Sequence, residues 1–256
     1  MVENGLKNMN EVKLFATPEH LFQSVAEDFA HRAMRAKSEF TVVLSGGNTP
    51  KMLFDTLTEI NSYKKEIPWN KIKFFFGDER YVPADDPKSN YHMAYEHLFS
   101  KVPVLKENIY RIPTEFNDPK AAATAYEQTL RKVFQLKDNE FPKFDLLYLG
   151  LGEDGHTASL LPLSDVVMIE NNQLAASLWV PDQKMYRITL TPPAINHAMQ
   201  IVFLVTGENK AHAVSGTLEG PADPQHYPAQ LIHGANNKPV WYLDKAAANK
   251  LNKSKA

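Results

Sequence analysis

The residues best suited to chemistry lie in Phe144-Asp-Leu-Leu-Tyr-Leu-Gly-Leu-Gly-Glu-Asp-Gly-His156-Thr-Ala-Ser-Leu-Leu161. An apolar run stops abruptly at glycines, acids and a histidine, the pattern of a buried strand that delivers a polar loop to a sheet edge. His156 is the side chain in that loop whose type exchanges protons near neutral pH, so a general base is the chemistry to expect. Asp154, two residues before it, can orient the imidazole, and the glycines permit close backbone approach to a ligand. The residues after Gly155 predict a helix start, whose outward N–H groups favour developing negative charge. The same residues would also serve a histidine that only caps its loop.

Three further clusters could act with this loop. Ser45-Gly46-Gly47-Asn48-Thr49-Pro50 offers backbone N–H groups, two hydroxyls and a helix start, the parts of a phosphate cradle. It lacks the Gly-Lys-Ser/Thr of a nucleotide loop, and it would equally make a plain strand-to-helix turn capped by Thr49. Gly77-Asp78-Glu79-Arg80 reads as a polar loop whose charges satisfy one another, or as a place where the planar fork of Arg80 meets a substrate oxyanion. Arg187 and Lys210 are single basic residues open to the same two readings.

Alternating elements must position these groups. Strands are expected at Val12 to Phe15, Phe40 to Leu44, Ile72 to Phe76, Leu146 to Leu149, Leu174 to Val180, Arg187 to Leu190, Gln200 to Val205 and Val240 to Leu243. Thr17-Pro18 and Asp118-Pro119 pair an N-cap with a proline at the first helical position, and predict helices running to about Ala36 and past Phe134. Further helices are predicted from Pro50, over Asn90 to Phe99, from Thr191-Pro192, near Lys210, and in the Ala/Lys-rich C-terminal segment. Strands alternating with helices give an α/β fold, a mostly parallel, Rossmann-like three-layer sandwich, read as one domain over 1–256. Ligands of such sheets bind outside the carboxyl ends of the strands, and all four polar loops follow strands.

Composition narrows the class. With 256 residues, a net charge of −2 and no basic stripe, nucleic acid is not an expected partner. The chain has no cysteine, which removes disulfides and thiolate chemistry. No His-x-x-x-His or His-Glu-x-x-His spacing occurs, and His92 and His97 would not share a helix face, so no metal site is expected. Gly150-x-Gly152-x-x-Gly155 matches the dinucleotide fingerprint, with Glu170 at about the right distance for a ribose contact. Pro162, however, would cut the crossover helix short, so no nucleotide cofactor is expected. The N-terminus, Met1 to Lys13, has no apolar leader, and the tail Ser254-Lys255-Ala256 reads as frayed; a cytoplasmic protein without a membrane segment is the expectation.

In this order the loops resemble the 6-phosphogluconolactonase family, of one superfamily with glucosamine-6-phosphate isomerase/deaminase. The likeness rests on Leu44-Ser-Gly-Gly-Asn-Thr-Pro50, Phe76-Gly-Asp-Glu-Arg80, Asn90, Leu149 to Leu160, Arg187-Ile-Thr-Leu-Thr191, Thr206-Gly-Glu-Asn-Lys-Ala211 and Trp241 to Asp244. The resemblance implies metal-independent hydrolysis of 6-phospho-D-glucono-1,5-lactone to 6-phosphogluconate in the oxidative pentose phosphate pathway. By position, His156 corresponds to the general base and Asp154 to its orienting acid. Ser45, Gly46, Gly47, Asn48, Thr49 and Gly155 correspond to ligand-binding positions. Arg80, Arg187 and Lys210 supply positive charge to the phosphate or the oxyanion, in an order the resemblance leaves open. Leu161-Pro162-Leu163 stands where the family shows Phe-Pro-Gly, and 163–186 matches poorly. The alternatives are amino-sugar-phosphate isomerisation with deamination, and a sugar-phosphate sensor without catalysis. Oligomeric state cannot be read from the sequence.

Overall fold

The computed structural model describes residues 10–252; the expectations for the N-terminal residues before Asn10 and for the tail Ser254 to Ala256 fall outside them. Ten strands occur among these residues: β1 Glu11–Phe15, β2 Phe40–Leu44, β3 Ile72–Phe76, β4 Asp78–Arg80, β5 Ile109–Tyr110, β6 Leu146–Leu149, β7 Ala175–Val180, β8 Met185–Leu190, β9 Ile201–Val205 and β10 Val240–Asp244. The helices are α1 Pro18–Arg35, α2 Asn48–Glu59, α3 Asn61–Glu66, α4 Asn90–Ala94, α5 Pro119–Phe134, α6 Pro192–Asn196 and α7 Ala211–Leu218. A wider helical turn, Tyr95–Phe99, prolongs α4.

Seven strands form one parallel sheet in the order β1-β10-β9-β6-β2-β3-β5. Every residue of β6 and β9 is buried, as a parallel sheet covered on both faces requires. β3 shows how the layers arise. Its side chains alternate, so Phe74 and Phe76 meet Phe99 on one face while Phe75 meets Phe134 of α5 on the other. On the side away from α5, α1 packs against α2, burying Leu21, Phe22, Val25 and Phe29.

From β2 the chain walks outward through β3 to β5, then returns on the other side of β2 as β6. Connections therefore leave β2 and β6 in opposite directions, which opens a crevice at their carboxyl ends. The Ser45 loop follows β2 and the His156 loop follows β6, so both line that crevice.

Four expectations are corrected. α2 begins at Asn48, two residues before Pro50, behind Gly47 at φ +100°; Thr49 is inside the helix and is not its cap. Asp78–Arg80 is a strand, not a solvated loop: it joins β8 and β7 in a second, antiparallel sheet of order β4-β8-β7. No helix follows Gly155. Residues 157–160 form a tight turn with Ala158 left-handed at φ +48°, and Ser159 bonds outward to Asp78 and Thr189; such side-chain bonds compete with a helix. The Ala/Lys segment after β10 forms successive turns instead of a helix among the described residues, with the Asp244 side chain accepting the Ala247 N–H at 2.7 Å.

Candidate active site

His156 is held by its own loop. His156 Nδ1 lies 2.6 Å from Asp154 Oδ1, and the same oxygen accepts the His156 backbone N–H at 3.1 Å. A carboxylate at Nδ1 places the proton there and leaves Nε2 as the free, basic nitrogen. Burial pushes the Asp154 carboxyl up, but the hydrogen bond and charge of His156, with two backbone N–H groups, outweigh it and hold the group below its ordinary value. Gly152 makes the pairing sterically feasible: a Cβ there would stand 2.1 Å from His156 Nδ1 and 2.4 Å from Asp154 Oδ1. Gly152 N–H donates to the His156 carbonyl at 2.7 Å, and Thr157 Oγ1 donates to the Gly150 carbonyl at 2.8 Å, so the loop is fastened at both ends.

Across the crevice stands the start of α2. Its first N–H groups have no acceptor within the helix, and no side chain caps them. Pro50, the third helical residue, brings no N–H at all. The helix end is thus a set of unclaimed donors with the positive end of the helix dipole behind them. Ser45 is buried and its hydroxyl donates to the Tyr148 carbonyl at 2.7 Å, which ties the turn to β6. Gly46 admits Asn90, whose Oδ1 would stand 1.8 Å from a Cβ at that position.

The small sheet supplies the third wall. Asp78 and Arg80 alternate with Glu79, so Glu79 turns away from the crevice. Its Oε1 accepts the N–H of Arg80 and Asn90 at 2.8 and 2.7 Å, and its Oε2 accepts Ser89 Oγ at 3.0 Å and Tyr91 N–H at 2.8 Å. Asp78 Oδ2 accepts Ser159 Oγ at 2.6 Å, and Asn90 Nδ2 donates to the Asp78 carbonyl at 2.9 Å. Arg187, 7% exposed, reaches Ser159 Oγ at 3.3 Å through Nη1 and Gln183 Oε1 at 2.7 Å through Nη2.

These walls enclose one cavity of about 510 Å³. Ser45, Gly46, Gly47, Asn48, Thr49, Arg80, His156, Arg187 and Lys210 all line it. Asp154 and Gly155 do not: Asp154 stands behind the imidazole, and Gly155, at φ +82°, packs closely on Tyr227. Sequence reasoning passed over Asp78, Asn90, Ser159 and Gln183 as site residues. The first three stand in segments already singled out, but only the pairing of β4 with β8 shows that they converge. Gln183 sits in the unreadable stretch before β8 and carried no signal. Among the described residues, no three His, Asp or Glu side chains converge to hold a metal ion, and no helix is long and apolar enough to cross a membrane.

A family model described as glucosamine-6-phosphate isomerases/6-phosphogluconolactonase matches residues 16–241. The chain is 40% identical over 220 residues to a protein of Synechocystis named 6-phosphogluconolactonase, covering 86% of this chain and 88% of that one. It is 37% identical over 239 residues to the 6-phosphogluconolactonase of Haemophilus influenzae, covering 93% and 98%. The solved 6-phosphogluconolactonase of Trypanosoma brucei superposes with a TM-score of 0.82 at 29% identity, over 95% of this chain and 99% of that one. A loop-bound histidine, an uncapped helix start and a shared strand-end cavity, on a chain matched over nearly its whole length, make this protein a member of the glucosamine-6-phosphate isomerase/6-phosphogluconolactonase family.

Proposed function

We propose that the protein hydrolyses 6-phospho-D-glucono-1,5-lactone to 6-phosphogluconate, with His156 as general base and without a metal. The observation that carries the reading is that His156, held from behind by Asp154, lines one cavity with an uncapped helix start. Asp154 fixes the tautomer, so Nε2 takes a proton from water as its oxygen attacks the lactone carbonyl. The imidazolium then returns that proton to the departing ring oxygen. The start of α2, with the Thr49 hydroxyl and Lys210 on the far side of the His156 loop, receives the phosphate and orients the ring. A δ-lactone is a reactive ester, so a base worth roughly 10² to 10⁴ in rate and oxyanion donors worth roughly 10² to 10³ suffice without a covalent intermediate.

The test is the rate of lactone opening above the spontaneous reaction. His156→Ala should lose about 10² to 10⁴ of the enzymatic acceleration while still binding a phosphosugar. Chelator treatment should leave the wild-type rate unchanged. An undiminished rate in the variant removes the base assignment, and ammonia release from glucosamine 6-phosphate would instead favour the isomerase branch of the family.

A further inference from the structure

Three glycines make the backbone of the His156 loop permissive, and the bonds from Gly152 to His156 and from Thr157 to Gly150 lie within the loop itself. Its placement against the rest of the cavity comes from contacts beyond it. Ser159 reaches Asp78 on one side, and Glu153 takes an exposed bond from Asn209. The segment from Gln225 to Ala229 grips the loop on both sides of His156: Ala229 N–H donates to the Gly155 carbonyl at 3.1 Å, and the Gln225 carbonyl accepts Leu163 N–H at 2.9 Å. Between these bonds the Tyr227 ring is wedged between two glycines. A Cβ on Gly155 would stand 2.7 Å from its Cδ1, and a Cβ on Gly216 of α7 would stand 2.3 Å from its Cε1. Neither side has room for a methyl group, so the ring fills the gap between loop and helix.

The ring is itself mounted on α7. Tyr227 N–H donates to the Asp223 carbonyl at 2.8 Å. Gln230 accepts the Asp223 N–H at 2.7 Å through Oε1 and donates through Nε2 to the Gly216 and Pro221 carbonyls at 3.0 and 2.9 Å. α7 is the fixed side of the contact: Ala211, Ala213 and Val214 are buried, and Asp244 accepts the N–H of Gly207 in the turn that leads into it. Lys210, on the cavity wall, directly precedes this helix. The Tyr227 hydroxyl lies 3.5 Å from His212 Nδ1, at the outer limit of a hydrogen bond, so the ring and not the hydroxyl makes the contact. Tyr227 stands outside the cavity lining and acts only through its neighbours.

We infer that Tyr227 is a positioning residue, a strut that carries the rigidity of α7 to Gly155 and holds His156 Nε2 in register with a phosphate anchored at the α2 start and Lys210. The inference rests on the lactonase reading for its consequence in catalysis. A base displaced by about 1 Å from the line of attack costs about 10² in rate. Removing the strut therefore slows the step after binding and leaves the anchoring of the phosphate in place.

Two readouts on the full-length protein test the strut: amide hydrogen exchange, and steady-state hydrolysis of 6-phospho-D-glucono-1,5-lactone. Tyr227→Ala should speed exchange of the Gly152 and His156 amides by at least about tenfold and leave the α7 amides unchanged. In the same variant kcat should fall about 10- to 100-fold with KM within about threefold of the wild type. Tyr227→Phe should match the wild type in both readouts. Gly216→Ala drives the ring toward Gly155 and should lower kcat about tenfold, but by less than about twofold once Tyr227 is replaced by alanine, because the three atoms nearest that Cβ all belong to Tyr227. Glucitol 6-phosphate affinity within about threefold of the wild type certifies that a variant is folded, and Tyr227→Leu replaces Tyr227→Ala if the latter fails that check. Unchanged loop exchange, a loss in KM instead of kcat, an equal loss in Tyr227→Phe, or losses that multiply in the double variant each overturn the strut. Faster loop exchange in the variant of a protein whose wild type does not open the lactone defeats the lactonase reading alone.

Discussion

Asp154 and Gly152 set the geometry in which His156 stands. Because the Asp154 carboxyl is held below its ordinary value, its contribution to stability is complete above that value and is lost as pH falls through the lowered one. Asp154→Asn keeps the shape but removes the charge that fixes the imidazole. Lactone hydrolysis should fall roughly 10- to 100-fold, less than for a buried triad carboxylate because this side chain is half exposed. Gly152→Ala should fall at least as far, since its Cβ meets both partners. The stability cost of that substitution should stay near 1–3 kcal/mol, typical of overpacking. Steady-state rates beside urea midpoints separate the two effects. An active Gly152→Ala would mean that the pair does not act in the geometry described.

At the level of elements, the Glu79 carboxylate helps to join β4 to the start of α4, accepting from Ser89, Asn90 and Tyr91. Burial raises the Glu79 carboxyl above its ordinary value, against the backbone N–H groups of Asn90, Tyr91 and Arg80 that lower it. A raised folded value means that stability from this group falls as pH rises from the unfolded to the folded value. Three of the four partners are backbone N–H groups, so Glu79→Gln turns an amide NH2 against at least one of them. The expected loss is about 2–3 kcal/mol in urea unfolding. A variant as stable as the wild type would show that the four bonds contribute nothing net. This element is also where sequence reasoning failed. Gly-Asp-Glu-Arg is polar and short, without the apolar alternation that announces a strand, and its pairing partner lies about a hundred residues away. By contrast Thr17-Pro18 and Asp118-Pro119 announced α1 and α5 because capping is local chemistry, and both threonine and aspartate accept the predicted backbone N–H.

For the molecule as a whole, the centre of the parallel sheet was legible because its strands are buried on both faces and read as continuous apolar runs. The cavity was legible as far as its loops follow strands. Its small sheet was not, since antiparallel pairing between distant segments leaves no mark in either one. The cavity is lined by loops of both sheets, so a ligand bound in it should resist the separation of these layers. Saturation with 6-phosphogluconate at 100 times its dissociation constant should add about 2.7 kcal/mol and raise the thermal midpoint by roughly 5–10 °C. An unmoved midpoint at that occupancy would mean that unfolding begins elsewhere and is irreversible before the site opens.

Among the described residues β1 sits at the sheet edge and pairs only with β10, from Glu11 opposite Val240 to Phe15 opposite Asp244. Lys13 and Tyr242, bonded across that pair, are 229 residues apart in sequence. During synthesis the first strand therefore emerges without a partner and waits for the last, roughly 10–45 s at ordinary rates of translation. Throughout that interval β10 is missing as well, and one edge of β9 lies open beside the loop that carries Lys210. β1 joins the sheet, and the edge of β9 is covered, only when β10 is made.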